Sequence, residues 1–466
     1  MNKKQLIGLG VPEDCVPHAI AAVQIAARNK EIEKAKTLIP KLVAAPDVYL
    51  SNEFYGELAT AIIEFRKSDI DLEPISYQKW GDDLDDNSIN QIENACKLPV
   101  SRAAALMPDA HSGYGLPIGG VLACENAIIP YGVGVDIACR MKMTITDLPV
   151  DVVHNNDPAK CRELDSALNK GTLFGTGKNW KRPHHHEVLD EDWTITAVTR
   201  EIRDKAVKQL GSSGSGNHFV EWGIVTLPET FDGVEAGKYV ALLSHSGSRG
   251  AGARVCQRYT DIARRMAPAR IRNDVQLRHL AWLDMSSQEG QEYWAAMNLM
   301  GRYASANHAV IHRNVTKLAG AKVLATVENH HNFAWLENHN GQDLYVHRKG
   351  ATPASAGALG VIPGNMADSA FIVRGKGNAA SLNSASHGAG RRMSRTAAKK
   401  AFNWREWKDH LNHKNVRLLA GGLDEVPGAY KNIHDVMAAQ SDLVEVVGEF
   451  MPRIVMMCGD GSRPED

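Results

Sequence analysis

From about residue 73 onward the chain is written in short apolar runs that close on glycine-rich polar loops. GLPIGGVLAC, YVALLSHSGSRG, DLYVHRKGA and AFIVRGKGN are examples. Runs of this length bounded by glycine read as strands, and the loops at their ends are where function concentrates. Longer helical stretches interrupt them near 196–209, 251–266, 289–318 and 391–411. The alternation predicts one large mixed α/β domain of the α+β class over residues 73–457. No fixed-period repeat or low-complexity segment breaks the pattern.

The first 72 residues have a different texture. VPEDCVPHAIAAVQIAARNKEIEKAKTLIPKLV and NEFYGELATAIIEFRKS place apolar residues three and four apart, which predicts helices. Pro12 followed by Glu13 and Asp14 suits a helix start. This helical N-terminal extension, 1–72, reads as a docking or oligomerisation element without chemistry. Residues 458–466 form a polar tail.

Composition narrows the function classes. The net charge is −1 and the pI about 7.0. That argues against coating nucleic acid by bulk electrostatics, while a local basic groove stays open. The seven cysteines are odd in number and form no CxxC pair, so a secreted disulfide framework is not expected. The start, MNKKQLIGLG, has no apolar signal core, and no uncharged apolar stretch of about 18 residues occurs. The chain therefore reads as cytoplasmic, with no membrane span.

The placement of the nineteen histidines carries the chemistry. MPDAH (107–111), GSGNHF (214–219), LLSHSGSRG (242–250), ENHHNF (328–333), YVHRKGA (345–351) and SASHGAGR (384–391) set imidazoles at strand ends among small residues. GVGVDIACRM puts Asp136 and Cys139 at i and i+3, on one side of a helical turn or a tight loop. A carboxylate, a thiolate and imidazoles suit Mn²⁺, Co²⁺ or Zn²⁺. Spacing alone does not separate that reading from Cys139 as a small buried hydrophobe. In SHSGSRG and SHGAGR, small residues let an anion reach backbone amides, and Arg249 and Arg391 can clamp phosphate. Lys349 adds a point charge. Together these suggest phosphoryl or nucleotidyl transfer, without a Walker A loop, a strand-following GxGxxG, HExxH or KxDG. KNWKRPHHH (178–186) and RRMSRTAAKK (391–400) are basic. The three adjacent histidines of the first are poorly placed to converge on one ion, so it reads as an exposed or substrate-facing loop. Both are candidates for holding phosphates, through Lys178, Lys181 and Arg182 in the first.

The ordered set MPDAH, GVGVDIAC, LGSSGSGNHF, SHSGSRG, HHN, HRKGA, IPGNM and SHGAGRRMSR resembles the RtcB family of RNA ligases across roughly residues 73–457. The resemblance implies joining of RNA 2′,3′-cyclic phosphate or 3′-phosphate ends to 5′-hydroxyl ends, with GTP and two Mn²⁺ ions, in RNA repair or tRNA splicing. It implies Asp136, Cys139, His218, His245 and His331 as metal ligands, with Cys139 bridging. His387 matches the histidine that takes up the nucleotide, and Asp109 an active-site aspartate. Asn217, Glu221, Arg249, Lys349, Asn365 and Arg391 match positions around the nucleotide or the RNA end.

The chain departs from the family pattern where the base is read. Asn365 replaces a serine in IPGNMA, Ala370 replaces another, and Cys458-Gly459 stands where the family ends in lysine-glycine. ATP in place of GTP is therefore an alternative. A second reading is a nucleotidyl transferase that caps RNA or DNA 3′-phosphates without efficient joining. The N-terminal extension suggests a divergent paralogue with its own partner.

Overall fold

The computed structural model describes residues 1–67, 72–153, 158–459 and 461. Most of the polar tail lies outside the described residues. The chain forms two compact units. One comprises Met1–Leu72 with Met266–Arg278, and the other Glu73–Arg265 with His279–Asp466.

The first unit is helical, as its patterning predicts. Val16–Arg28, Ile32–Ala44 and Gly56–Lys67 pack around Leu6, Ala19, Val23, Ile39, Leu42, Leu58 and Ile62, all buried. Two local features shape the helical stretch that starts at Pro12. Glu13–Cys15 is a 3₁₀ turn, and Lys30 takes a φ of 61° between the first two long helices. The left-handed residue ends one helix and reverses the chain.

Among the described residues the second unit contains two large sheets and two two-stranded ones, Ala351–Pro353 with Ser384–Ser386 and Ala127–Ile128 with Leu283–Asp284. The five-stranded sheet runs in the order Tyr77–Lys79, Ser101–Tyr114, Leu116–Cys124, Gln342–Lys349, Asn332–His339. The larger sheet runs Leu359–Pro363, Ala370–Gly375, Val444–Met457, Phe219–Leu227, Gly237–Ser246, Arg140–Thr146, Val323–His330, with Arg417–Ala420 pairing Val444–Met457 off this path. The expected apolar runs are all strands here. The continuous burial of residues 240–246 reflects a sheet covered on both faces.

His330 ends a strand of the larger sheet and Asn332 begins one of the smaller. His331 is the single residue between them, so the chain crosses from sheet to sheet at that histidine. The long helix Gln288–Leu318 packs near the larger sheet and buries Asn307, His308 and His312. The helical stretch expected at 391–411 is two helices, Arg395–Ala401 and Trp404–His413. The Asn403 side chain accepts from Arg405 and Glu406 backbone N–H groups and starts the second afresh,.

Candidate active site

The strand ends converge on a cavity of about 1260 Å³. Its lining includes Asp136, Cys139, Asn217, His218, Glu221, His245, His331, Lys349, Asn365, His387 and Arg391. These come from distant parts of the sequence because register brings them together. Phe219, next to His218, pairs with His245. Met141 also pairs with His245, which places Cys139 beside the same strand end. Asp136 and Cys139 lie in a tight loop, closed by a Cys139 N–H bond to Asp136 O at 3.2 Å, with Ala138 at φ 58°. Gly247 lets this loop approach. A Cβ there would lie 2.2 Å from an Asp136 oxygen.

The donors are buried and turned inward. His218 Nδ1 lies 2.7 Å from Ser213 O, and His245 Nδ1 3.2 Å from Asn217 O. Each ring donates its Nδ1 proton to the chain, which leaves the Nε2 lone pair facing the cluster. Cys139 Sγ lies 3.0 Å from His245 Nε2 and 3.5 Å from His218 Nε2. His245 Nε2 is 3.2 Å from His331 Nε2, and His218 Nε2 is 3.1 Å from Asp136 Oδ2. Acceptor atoms facing one another at these distances repel unless a cation lies among them. Burial, first, and neighbouring imidazoles hold His245 and His331 well below the usual histidine range, so both are neutral and able to ligate. The donor atoms of Cys139, His218 and His245 all lie within 4.8 Å of one another. A borderline divalent metal fits this set of thiolate, imidazole and carboxylate.

Beside the cluster stands His387, its ring centroid 4.9 Å from that of His331. His387 Nδ1 lies 2.7 Å from Asp109 Oδ2, which also accepts from the backbone N–H groups of His387 and Gly388. Asp109 is fully buried, at a bulge in Ser101–Tyr114. Lys431 Nζ donates to Pro108 O and Ala110 O, both at 3.1 Å, and pins the bulge from either side.

The remaining expected residues separate into those facing the cavity and those that do not. Burial pushes the Glu221 carboxyl well up and the Lys349 ammonium down to about 8. Arg249 stands one layer back, its Nε donating to Ser212 Oγ at 3.2 Å. Arg391 is engaged by Glu425, the Tyr430 hydroxyl and Asp424 O. Arg395 and Lys399 also pair with Asp424, so this basic stretch is partly neutralised. In 178–186 the three histidines go to separate partners: His184 to Asn314, His185 to Asp190, and His186 to Val188 N–H. Lys178, Lys181 and Arg182 are exposed. Asn365 caps its own turn, accepting from Ala367 and Asp368 N–H groups and donating to Asp368. Ala370 also lines the cavity.

Sequence reasoning missed Asn307. Its side chain accepts from Gly211 and Ser212 N–H groups at 2.7 and 3.2 Å and donates to Ser212 O at 3.0 Å. It thereby holds the loop that leads to Asn217 and His218. The signal was present in ASANHAVIH, where polar side chains interrupt the buried face of a helix. A buried amide in that position must be hydrogen-bonded to something.

The fold and site define an α+β protein with a deep cavity, in which a cluster able to bind a metal lies beside a carboxylate-oriented histidine. The sequence model of one protein family, described as tRNA-splicing ligase RtcB, matches residues 91–458. The RNA-splicing ligase RtcB of Escherichia coli is 34% identical over 397 residues, covering 80% of this chain and 95% of the relative. The tRNA-splicing ligase RtcB of Methanococcus maripaludis is 30% identical over 427 residues, 76% of this chain and 88% of the relative. The RNA-splicing ligase RtcB of Mycobacterium tuberculosis is 31% identical over 432 residues, 78% and 98%. The chain belongs to the RtcB family of RNA ligases. Among the described residues no helix is long and apolar enough to cross a membrane.

Proposed function

We propose that the protein joins RNA 2′,3′-cyclic phosphate or 3′-phosphate ends to 5′-hydroxyl ends through a nucleotide carried on His387. The observation that supports this most directly is the Asp109–His387 pair beside the Cys139, His218, His245 and His331 donors. With Nδ1 held by Asp109, Nε2 is the nitrogen left to attack. Its lone pair would form an N–P bond at the nucleotide α-phosphorus as the bond to pyrophosphate breaks. An oxygen of the RNA 3′-phosphate would then displace the histidine, and the 5′-hydroxyl would displace the nucleotide monophosphate. A cyclic phosphate would first be opened by water.

Asp136, Cys139, His218, His245 and His331 would hold two Mn²⁺ ions, which would supply charge neutralisation at the phosphates. Asn217, Lys349 and Arg391 would contact phosphate or ribose, and Arg249 would brace the loop around Ser212. Glu221 would lie by the phosphates, ribose or RNA end, and Asn365 would face the base. The Asn365 amide is already spent on its own turn, and Ala370 offers no donor or acceptor. This favours relaxed base choice, with ATP accepted beside GTP.

The test incubates the protein with Mn²⁺ and each α-labelled nucleoside triphosphate, then adds RNA ends. We expect an adduct on wild-type protein, none on His387→Ala, and a joined product with 3′-phosphate and 5′-hydroxyl strands. Label retained by His387→Ala would sink the proposal. Capped but unjoined RNA would instead establish the capping reading.

A further inference from the structure

One aromatic group at this cavity has no part in the cluster or the His387 pair. Tyr114 ends the strand Ser101–Tyr114 and lines the cavity, yet it is 66% exposed. Its ring lies 6.4 Å from Tyr131, edge-on, and 5.7 Å from His279, while Tyr131 and His279 are 5.1 Å apart. A lone exposed tyrosine is ordinary on a protein surface. This one is held in place by four separate segments.

Gln91, on the helix Asp86–Cys96, clamps the neighbouring Gly113 from both sides. Its Nε2 donates to Gly113 O at 2.6 Å, and Gly113 N–H donates to its Oε1 at 2.9 Å. On the other side Gly115 has a φ of 72°, and a Cβ there would lie 3.0 Å from His279. The turn is therefore tight and backed. Lys349 Nζ donates to Tyr114 O at 2.7 Å and lies 5.1 Å from the Tyr131 ring centroid. Fixing the backbone around a solvent-facing ring does little for the core. It does lower the ordering cost of a partner that lies flat on the ring. Every nucleobase presents such a flat π face, and stacking on an aromatic is tolerant of sequence.

We infer that Tyr114, backed by Tyr131 and His279, is a stacking platform for a nucleobase of the RNA strand next to its reacting end. The inference rests on the RNA ligase reading above. It adds a substrate requirement: the nucleotide at that position is unpaired, because a base inside a duplex has both faces covered. Lys349 ties the platform to the cavity through the Tyr114 carbonyl, a link that substitution of the ring leaves in place.

The test measures binding of a dye-labelled single-stranded RNA ending in a 3′-phosphate to the full-length protein with Mn²⁺ and no nucleotide. Tyr114→Ala should weaken binding about tenfold, and Tyr114→Phe should bind like wild type. An RNA with abasic residues at its last two positions should bind wild type about tenfold more weakly than the intact strand. It should show no further loss with Tyr114→Ala. Binding of intact RNA unchanged by Tyr114→Ala overturns the platform while leaving the ligase reading standing. So does an equal loss on intact and abasic RNA, since the ring would then act on something other than a base. Wild-type protein that binds no RNA overturns the ligase reading and the platform with it.

Discussion

At the scale of the residue, the site depends on which nitrogen of each histidine is already engaged. His218 and His245 give Nδ1 to backbone carbonyls and keep Nε2 for the cluster. His387 gives Nδ1 to Asp109. Asparagine at position 109 would keep the shape but remove the charge that holds the ring in this tautomer and stabilises positive charge as Nε2 reacts. Asp109→Asn should therefore slow adduct formation by about 10²-fold or more, with Mn²⁺ uptake unaltered. Single-turnover labelling and metal analysis of the same preparation check this. A rate within a few-fold of wild type would assign the orienting role elsewhere. The identity of these residues was legible, because imidazoles in glycine-rich loops are hard to explain as core. The pairing was not: Asp109 and His387 meet across 278 positions of sequence, and no local spacing encodes that contact. Nor did spacing reveal that Arg249 stands behind the loop or that Glu425 occupies Arg391.

At the scale of the element, the strands were legible as apolar runs, but their partition among separate sheets was not. Period and length say that a strand forms, and register against distant partners decides which sheet it joins. The crossing at His331 is the consequence that matters most, since it places one donor where the sheets meet. The strand before it is locked to Arg140–Thr146 by charge. Glu328 lies opposite Lys142 in register, pairs with Lys142 at 2.7 Å and with Arg140, and accepts from Ser305 at 2.8 Å. Burial alone would raise its carboxyl, but Arg140 and then Lys142 outweigh burial and hold it below the usual range. A depressed folded value means the stabilisation is complete above the unfolded value, near pH 4.5. It is lost as pH falls below that toward the folded value. Glu328→Gln leaves the buried Arg140 and the half-buried Lys142 without their counter-charge and should cost about 3 kcal/mol at neutral pH. In urea melts, the gap between wild type and variant should be widest at pH 7 and should shrink steadily as the pH falls below about 4.5,. A gap independent of pH would show that packing, not charge, accounts for the loss.

At the scale of the whole molecule, the chain carries two units with separate cores. The helical unit is built around Leu6, Ile39, Leu42 and Leu58, all within the first 72 residues, while the cores around Met107, Met143 and Trp222 belong to the larger unit. The fraction of surface buried on folding rises with chain length, so the small unit has the thinner margin. Two cores of unequal depth predict unfolding that is not two-state. The sequence supplies a means to see it. All nine tryptophans fall between positions 80 and 407, and none lies in 1–72 or 266–278. Tryptophan fluorescence therefore reports the larger unit alone, whereas far-ultraviolet circular dichroism reports both. In urea, dichroism should begin to fall at a concentration where fluorescence is still native. Mn²⁺ adds a second discriminant, because a ligand stabilises only what it binds when folded. The cluster lies wholly in the larger unit, so Mn²⁺ should raise the fluorescence midpoint and leave the early dichroism step where it was. Superimposable curves that move together with Mn²⁺ would instead mean that the two cores melt as one cooperative structure.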